Sequence, residues 1–321
     1  MAVPMDPPTT TLSVPMPPAG MTDRITPVDR MISLSHLGVP RIDRDAWRLR
    51  IDGLVDRVTD LGFDDIARFP RHSIVAAHQC AGSPLAPSEP TQRVCNLVWS
   101  GARLADVLAR CGVGDDARFL WSSGADHGSF AGVTVDSFVK DLPLSRVAQD
   151  VLLAYEINGA PLPASAGYPV RLFVPGFYGT NSVKWLTHLH LAAGRADSPF
   201  TTRWYNDTLP DGSTRPVWSI APASCIVAPT GEIAARPVEV WGWAWGDGGI
   251  ARVEVSTDGG TTWRDATLDP ATGRGWQRFA LDWAPGPGPA VLMSRATDTQ
   301  GATQPAQGAR NAVFSVAVRR A

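Results

Sequence analysis

The sequence is poor in cysteine and has no long hydrophobic run. Only four cysteines occur in 321 residues, and no two form a C-x-x-C pair: Cys80, Cys95, Cys111 and Cys225. This excludes a zinc ribbon, a thioredoxin-like motif and a C-x-x-C-H haem attachment site. Disulfides are not expected in a reducing compartment. No apolar stretch reaches the ~18 residues that cross a bilayer, so we expect no membrane span.

An excess of charge of one sign is also missing. The 29 Lys and Arg nearly balance the 31 Asp and Glu, for a net charge of −2. Without a basic block to neutralise phosphates, a nucleic-acid partner is not expected. The stretch 1–26 is Pro-rich and lacks both a basic start before an apolar core and a twin arginine. We interpret it as a surface arm and expect a cytoplasmic chain, or a periplasmic one if a partner or a missing leader exports it.

Glycine and proline are abundant, and their distribution divides the chain. The 30 Gly and 28 Pro, with 44% hydrophobic residues, predict a folded protein with many turns and short strands. Up to about residue 200, predicted strands alternate with short helices, including helices over 63–69 and after a cap at Ser100. Beyond about residue 215, regularly spaced short strands separated by Gly/Asp turns are typical of an immunoglobulin-like β-sandwich.

Cys80 ends one predicted strand and opens a Gly/Pro-rich loop, Cys80-Ala81-Gly82-Ser83-Pro84. Catalytic groups often lie on such loops, so Cys80 is interpreted as a nucleophile or a soft metal ligand. The alternative is a buried structural thiol. A cysteine hydrolase would also need a base. Only His78 offers itself, and a neighbour on the same strand face is poorly placed for that role.

Three other patterns each leave two interpretations open. Tyr178–Lys184 offers backbone N–H groups, a hydroxyl and an ammonium, which suits an anion cradle or simply a polar turn. His188 and His190 share a strand face and form either a weak metal-site signal or ordinary strand histidines, with no carboxylate placed to complete a site. The alternating Trp241, Trp243 and Trp245 suit a ligand platform, or a core or subunit interface.

Four segments taken together resemble the sulfite oxidase family of molybdopterin enzymes. In chain order they are RMISLSHLGVPRID (30–43), HQCAG (78–82), VLLAYEINGAPLP with GYPVRLFVPGFYGTNSVKW (151–163 and 167–185), and VEVSTDGGTTW (253–263). The resemblance implies an α+β fold, with a Pro-rich arm (1–26) before a mixed molybdopterin-binding catalytic domain (27–212). An immunoglobulin-like dimerisation domain (213–321) then follows.

The resemblance also implies roles for individual residues. Cys80 matches the thiolate that ligates molybdenum, and Tyr205 falls where the family often places a tyrosine near the metal. The residues that match the family's Mo-molybdopterin contacts are Ile32, Ser33, Leu34, Ser35, His36, Asp126, Arg171, Ser182, Val183 and Lys184. The cofactor would carry the two-electron oxygen-atom transfer on a small-molecule substrate.

The sequence departs from the family pattern around the expected substrate pocket. The family's Asn-Arg after Cys-Ala-Gly is Ser83-Pro84, its Arg-Asn before His36 is Leu34-Ser35, and a family histidine is Ala166. A pocket arginine falls on Gln277, next to Arg278.

We expect Arg93, from the same loop, to replace a lost arginine, and the substrate stays open. No haem motif is present, so we expect a separate electron carrier such as a cytochrome, together with a homodimer. The alternative is a degenerate family member that acts as a non-catalytic binding or structural subunit.

Overall fold

The computed structural model describes residues 4–6, 17–82, 93–307 and 310–320. Half of the predicted arm, as well as Ser83 and Pro84, lies outside these residues. The chain forms two compact units. The first comprises Met1–Ser13, Ser33–Ile74 and Val98–Trp218, and the second comprises Val14–Ile32, Val75–Leu97 and Ser219–Ala321. The predicted domain ranges 27–212 and 213–321 stay predictions, because each unit combines separate stretches of the chain.

The fold is mostly β, with few and short helices. In chain order, strands β1 to β13 are Met5–Asp6, Val39–Pro40, Leu49–Gly53, Thr59–Leu61, Arg71–Gln79, Val94–Arg103, Phe119–Gly124, Gly128–Phe130, Val133–Val135, Val139–Pro143, Leu152–Ile157, Ala160–Pro161 and Arg171–Phe173. Strands β14 to β25 are Leu186–Ala192, Asn206–Thr208, Thr214–Pro216, Ala223–Ala228, Gly231–Ile233, Val238–Trp245, Ile250–Ser256, Arg264–Asp265, Thr267–Leu268, Gln277–Trp283, Gly288–Asp298 and Ser315–Arg320. Helices α1 to α4 are Phe63–Ala67, Leu104–Ala109, Leu144–Val147 and Pro199–Thr202, and 3-10 turns lie at Pro18–Gly20, Val28–Arg30, Ala164–Ala166 and Gly179–Asn181.

The first unit is built on a five-stranded sheet of order β10-β7-β14-β3-β4, in which β14 pairs parallel to β3 and antiparallel to β7. Alternation along these strands puts Leu49, Ile51, Leu189 and Leu191 into one apolar core, all fully buried. A second sheet has the order β12-β11-β6-β5, and β13 also pairs with β11. These pairings set the positions of the loops that follow β7, β13 and β14.

The predicted helix at 63–69 is confirmed as α1, but the cap predicted at Ser100 is wrong. Helix α2 begins at Leu104 after Arg103, and Ser100 lies inside strand β6. The Ser100 hydroxyl instead pairs with the Ser73 hydroxyl at 2.8 Å and accepts from Arg71 at 3.1 Å. The Ser100 hydroxyl therefore forms hydrogen bonds with side chains in the sheet and not with the backbone at the start of a helix.

The second unit has two sheets around one apolar core. Their strand orders are β17-β19-β23-β22 and β18-β25-β24-β20-β21. Residues from both sheets, among them Val240, Phe279, Val255 and Leu292, pack together with almost no exposed surface. The all-β pattern predicted beyond residue 215 is therefore confirmed for these strands. Within the described residues, no helix is long and apolar enough to cross a membrane.

Candidate active site

Lys184 ties together two of the segments that the sequence assigned to cofactor binding. Its ammonium donates hydrogen bonds of 2.9 Å to the carbonyl oxygens of Leu34 and Ser165. The Ser33 hydroxyl donates to the same Ser165 oxygen at 3.2 Å. The Ser35 hydroxyl accepts from the backbone N–H of Gly38 at 3.1 Å. The segment Ser33–His36 is thus fixed beside Lys184, although 150 residues separate Lys184 from Leu34.

Arg171 is a buried side chain that binds the backbone near two further predicted cofactor residues, Ser182 and Val183. Its guanidinium, which is 3% exposed, donates to the carbonyl oxygens of Ala166 at 3.0 Å and Ser182 at 2.7 Å. It also lies over the Trp99 ring at 5.0 Å. The Val183 carbonyl accepts from Leu172, next to Arg171, at 2.8 Å. Arg171 therefore orders the loop that carries Ser182 and Lys184.

Asp126 is buried beside this loop, and Gly124 makes room for it. A Cβ at Gly124 would lie 2.4 Å from Asp126 Oδ1 and 2.6 Å from the Lys184 carbonyl oxygen. Burial raises the pKa of the Asp126 carboxyl and lowers the pKa of the Lys184 ammonium, while their mutual attraction opposes both shifts. The first unit therefore holds an acid and a base whose charged states depend on each other.

His36 and Tyr205 lie together in an aromatic cluster. His36 Nε2 is 2.5 Å from the Tyr205 hydroxyl. The His36 ring centroid is 4.3 Å from that of Phe130 and 6.1 Å from that of Phe200. Burial, together with the charge of Lys184, lowers the pKa of His36 to about 4. His36 is therefore a neutral imidazole at pH 7, available as one donor and one acceptor.

Cys80 lies in the second unit, directly after strand β5. Its N–H donates to the Arg93 carbonyl at 2.9 Å, and its half-buried Sγ accepts a hydrogen bond from the Gly82 N–H at 3.4 Å. Arg93 Nη1 donates to the Gly82 carbonyl at 3.2 Å, so the Arg93 guanidinium lies next to the Cys80 loop. Arg310, which the sequence analysis did not single out, donates to the Ala81 carbonyl at 2.7 Å.

The strand end before Cys80 is held by a buried amide. Gln79 has no exposed surface and donates to Asn311 Oδ1 at 2.7 Å, while its oxygen accepts from the Trp245 indole at 2.9 Å. Trp243 and Trp245 are buried, so the core interpretation of these two tryptophans is confirmed. Trp241 is half-buried beneath the guanidinium of Arg278. A ligand platform on this strand is not formed.

The remaining sequence candidates take other roles. Cys95, Cys111 and Cys225 are buried, and burial raises the pKa of Cys225 to about 12, as expected of structural thiols. Gln277 is bound within its sheet region, where it accepts from Ile250 N–H and donates to the Asp269 carbonyl. Arg278 forms an ion pair with Glu239. The contacts of Gln277 and Arg278 give no sign of an oxyanion site.

Comparison with known proteins assigns the chain to a family through two family models. Residues 36–200 match the family model described as "oxidoreductase molybdopterin binding domain", which is more than half of the chain. Residues 218–318 match the model "Mo-co oxidoreductase dimerisation domain". The chain belongs to the sulfite oxidase family. Its cofactor is accordingly Mo-molybdopterin.

Solved and curated members of the sulfite oxidase family agree. The chain superposes on sulfane dehydrogenase SoxCD from Paracoccus pantotrophus with a TM-score of 0.84 and 30% identity, over 95% of this chain and 84% of that one. It is 34% identical to sulfite oxidase from Gallus gallus over 285 residues, which cover 78% of this chain and 61% of that protein. Barley nitrate reductase is 30% identical over 284 residues, covering 76% of this chain and 31% of the relative. The chain thus spans about three fifths or less of these two relatives' lengths.

The residues of the first unit fit a pterin phosphate, and Cys80 of the second unit separately fits a metal that takes a thiolate ligand. The first unit offers the Lys184 ammonium and a neutral His36. Thr180 Oγ1 is buried and finds no hydrogen-bond partner among the residues that the structure describes. A buried hydroxyl of this kind is best explained by a group that is not part of the protein. Cys80 supplies a half-buried thiol that is not in a disulfide, which suits a soft redox metal.

Two functional candidates escaped the sequence analysis. Arg310 lies far along the chain from Cys80, and no local motif marks it. For the pair His188 and His190, the expectation that no carboxylate completes the group is wrong. Parallel pairing of β14 with β3 puts Asp52 opposite His190. These residues are far apart in sequence and come together through the strand register. The sequence did carry one sign of which way Asp52 points: in β3, Arg50 and Asp52 alternate with the apolar Leu49 and Ile51, which are buried.

Proposed function

We propose that the chain catalyses two-electron oxygen-atom transfer on a small oxyanion or an S- or N-oxide-type substrate, and passes the electrons to a separate carrier such as a cytochrome. In the oxidising direction, substrate and water give the oxygenated product, two protons and two electrons, which the carrier accepts. The bound cofactor would supply the redox-active metal and the oxygen transfer. The protein binds and orients the reactants.

The observation that carries this proposal is the pair of arginines whose side chains contact the Cys80 loop. Arg93 and Arg310 donate to the carbonyls of Gly82 and Ala81, the two residues that follow Cys80. Guanidinium groups bind oxyanions with several charge-assisted hydrogen bonds. Two of them beside the proposed metal ligand would compensate for the arginine that the Ser83-Pro84 sequence lacks.

The roles of the first-unit residues follow from their chemistry. Lys184, with the backbone groups of Ser33–Ser35 and the Ser182 loop, would hold the phosphate and the pterin. Asp126 would accept hydrogen bonds from the ring nitrogens, because burial suits it to a partner that can share a proton. Tyr205, oriented by His36, would direct its hydroxyl toward the substrate. A catalytic role for Tyr205 and a pterin-contacting role for Ile32 remain part of this proposal.

The second unit is proposed to be an immunoglobulin-like sandwich through which two copies form a homodimer. The two sheets around one core and the match to a dimerisation domain support this. The alternative of a non-catalytic subunit is not favoured, because the chain has a residue of suitable chemistry at each position that the resemblance assigns to the metal or the cofactor: Cys80, His36, Asp126, Arg171 and Lys184.

A substrate panel tests the proposal. Protein made in a host that produces molybdopterin is assayed with sulfite, nitrate, sulfane sulfur and S- or N-oxides, using artificial electron acceptors and donors. We expect turnover of at least one, and a KM raised about 10-fold or more in both Arg93→Ala and Arg310→Ala. The exposed Arg264→Ala serves as the control. A molybdenum-loaded chain inactive on the whole panel, or unchanged KM in both variants, would contradict the proposal.

A further inference from the structure

A second group of ligand-type side chains lies on the open face of the five-stranded sheet in the first unit. Strand β14 pairs with β3 so that His188 lies opposite Arg50 and His190 opposite Asp52. Leu189 and Leu191 of the same strand are buried in the core. The two histidines therefore project from the other face with Asp52. Their side chains are 35%, 35% and 20% exposed, respectively.

The three side chains already converge on one atom. Asp52 Oδ1 is 2.8 Å from His188 Nε2 and 2.7 Å from His190 Nδ1. One ligand atom from each residue lies within 4.8 Å of both others. In a tetrahedral zinc site with bonds of about 2.0–2.1 Å, ligand atoms are about 3.3–3.4 Å apart. Small side-chain rotations would thus turn the hydrogen-bonded group into a coordinating one.

Neighbouring groups hold the three side chains in place. Arg50 Nε donates to Asp52 Oδ2 at 2.9 Å, which leaves Oδ1 for the histidines, and Asp60 lies 3.6 Å from Arg50 and offsets part of its charge. The His190 ring is 4.9 Å from the Trp121 ring. A Cβ at Gly53 would be 2.9 Å from His190 Cε1, so glycine allows this ring position. Hydrogen-bonded and packed ligands of this kind are typical of metal sites.

We propose that Asp52, His188 and His190 bind a divalent transition-metal ion, with Zn²⁺ as the best fit. Two imidazole nitrogens and one carboxylate oxygen form a donor set that zinc accepts, and Ca²⁺ or Mg²⁺ would prefer oxygens alone. The fourth position would hold water, since the group is partly exposed. On binding, each imidazole proton moves to the ring nitrogen that faces away from the metal. None of these residues is among those assigned to Mo-molybdopterin.

The test is metal binding by the full-length protein, which does not depend on turnover. Protein dialysed against a chelator is equilibrated with Zn²⁺, and bound metal is measured by mass spectrometry. We expect one Zn²⁺ per chain from this site, and affinity reduced about 100-fold in His188→Gln and in His190→Gln. His72→Gln changes another partly exposed histidine, 3.9 Å from Asp106, and should leave binding unchanged.

Co²⁺ substitution separates this site from the thiolate of Cys80. Cobalt bound by imidazole and carboxylate shows weak visible bands without the near-ultraviolet sulfur-to-cobalt band, and this spectrum should persist in Cys80→Ser. Circular dichroism confirms that each variant is folded. If a histidine variant does not fold, the cobalt spectrum of the wild-type protein tests the proposal instead. Only thiolate-type cobalt bands, no binding at micromolar Zn²⁺, or unchanged affinity in both histidine variants would overturn the proposal.

Discussion

The hydroxyl of Tyr205 lies 2.5 Å from Nε2 of His36, and the bond between them joins residues 169 positions apart. Tyr205 has a φ of +59°, a conformation that a bulky residue adopts only when its surroundings hold it there. Lys140 Nζ lies 5.4 Å from the Tyr205 ring centroid. The phenol is therefore fixed by a hydrogen bond at its tip and by the backbone at its base.

Tyr205→Phe should lower the free energy of unfolding by about 1 kcal/mol, because it removes one partly buried hydrogen bond. If Tyr205 is catalytic, kcat should also fall at unchanged molybdenum content. Urea unfolding and metal analysis measure the two effects. Tyr155→Phe, a buried tyrosine outside the aromatic cluster, is the matched control. Stability and kcat equal to wild type would show that the His36 contact has no energetic role.

The contribution of His36 to the stability of the apo protein should be lost as the pH falls from about 6.5 to about 4. The unfolded chain binds a proton on His36 below its ordinary pKa of about 6.5, whereas folding lowers that pKa to about 4. Between these values the unfolded state binds more protons, so acid favours unfolding. The thermal midpoint of His36→Gln should fall less steeply over this range than that of wild type. Parallel curves for the two proteins would contradict the neutral imidazole.

Cys80→Ser should reduce the molybdenum content, the activity, or both, with activity about 100-fold lower. A hard hydroxyl is a poor replacement for a thiolate on a soft redox metal. The matched control is Cys111→Ala, which removes a buried thiol that donates within the chain to the Val107 carbonyl and should keep its metal. Full molybdenum loading with wild-type activity in Cys80→Ser would remove Cys80 from the site.

Gly124→Ala should destabilise the protein by about 1–3 kcal/mol and reduce bound pterin, because the added Cβ would overlap the Asp126 carboxylate. Gly194→Ala is the control, since a Cβ there meets nothing within 4 Å. Urea unfolding reports the stability, and pterin fluorescence after denaturation reports the cofactor. If both variants behave alike, Asp126 is free to move and does not depend on the glycine.

Local sequence patterns predicted much of the fold. The alternation in Val238–Trp245 and the helical spacing after Leu104 are short-range signals, and both elements form where they were expected. The Ser100 cap failed because a serine that resembles a helix cap can equally pair with Ser73 across a sheet. The sequence offered Arg93 only as a replacement arginine, and the backbone hydrogen bond from Cys80 to Arg93 shows what places it beside Cys80.

Motif resemblance, which depends on residue type and order, identified the family and the cofactor, and it predicts site roles for Cys80, His36, Asp126, Arg171 and Lys184. The sequence by itself thus determined which family the protein belongs to and which cofactor it binds. Tertiary structure decided which groups meet. Arg310 reaches the Ala81 carbonyl across 229 residues, and Asp52 meets His190 across 138. Such contacts depend on sheet register and chain return, because a shift of one residue in a strand would turn Asp52 from the open face into the core.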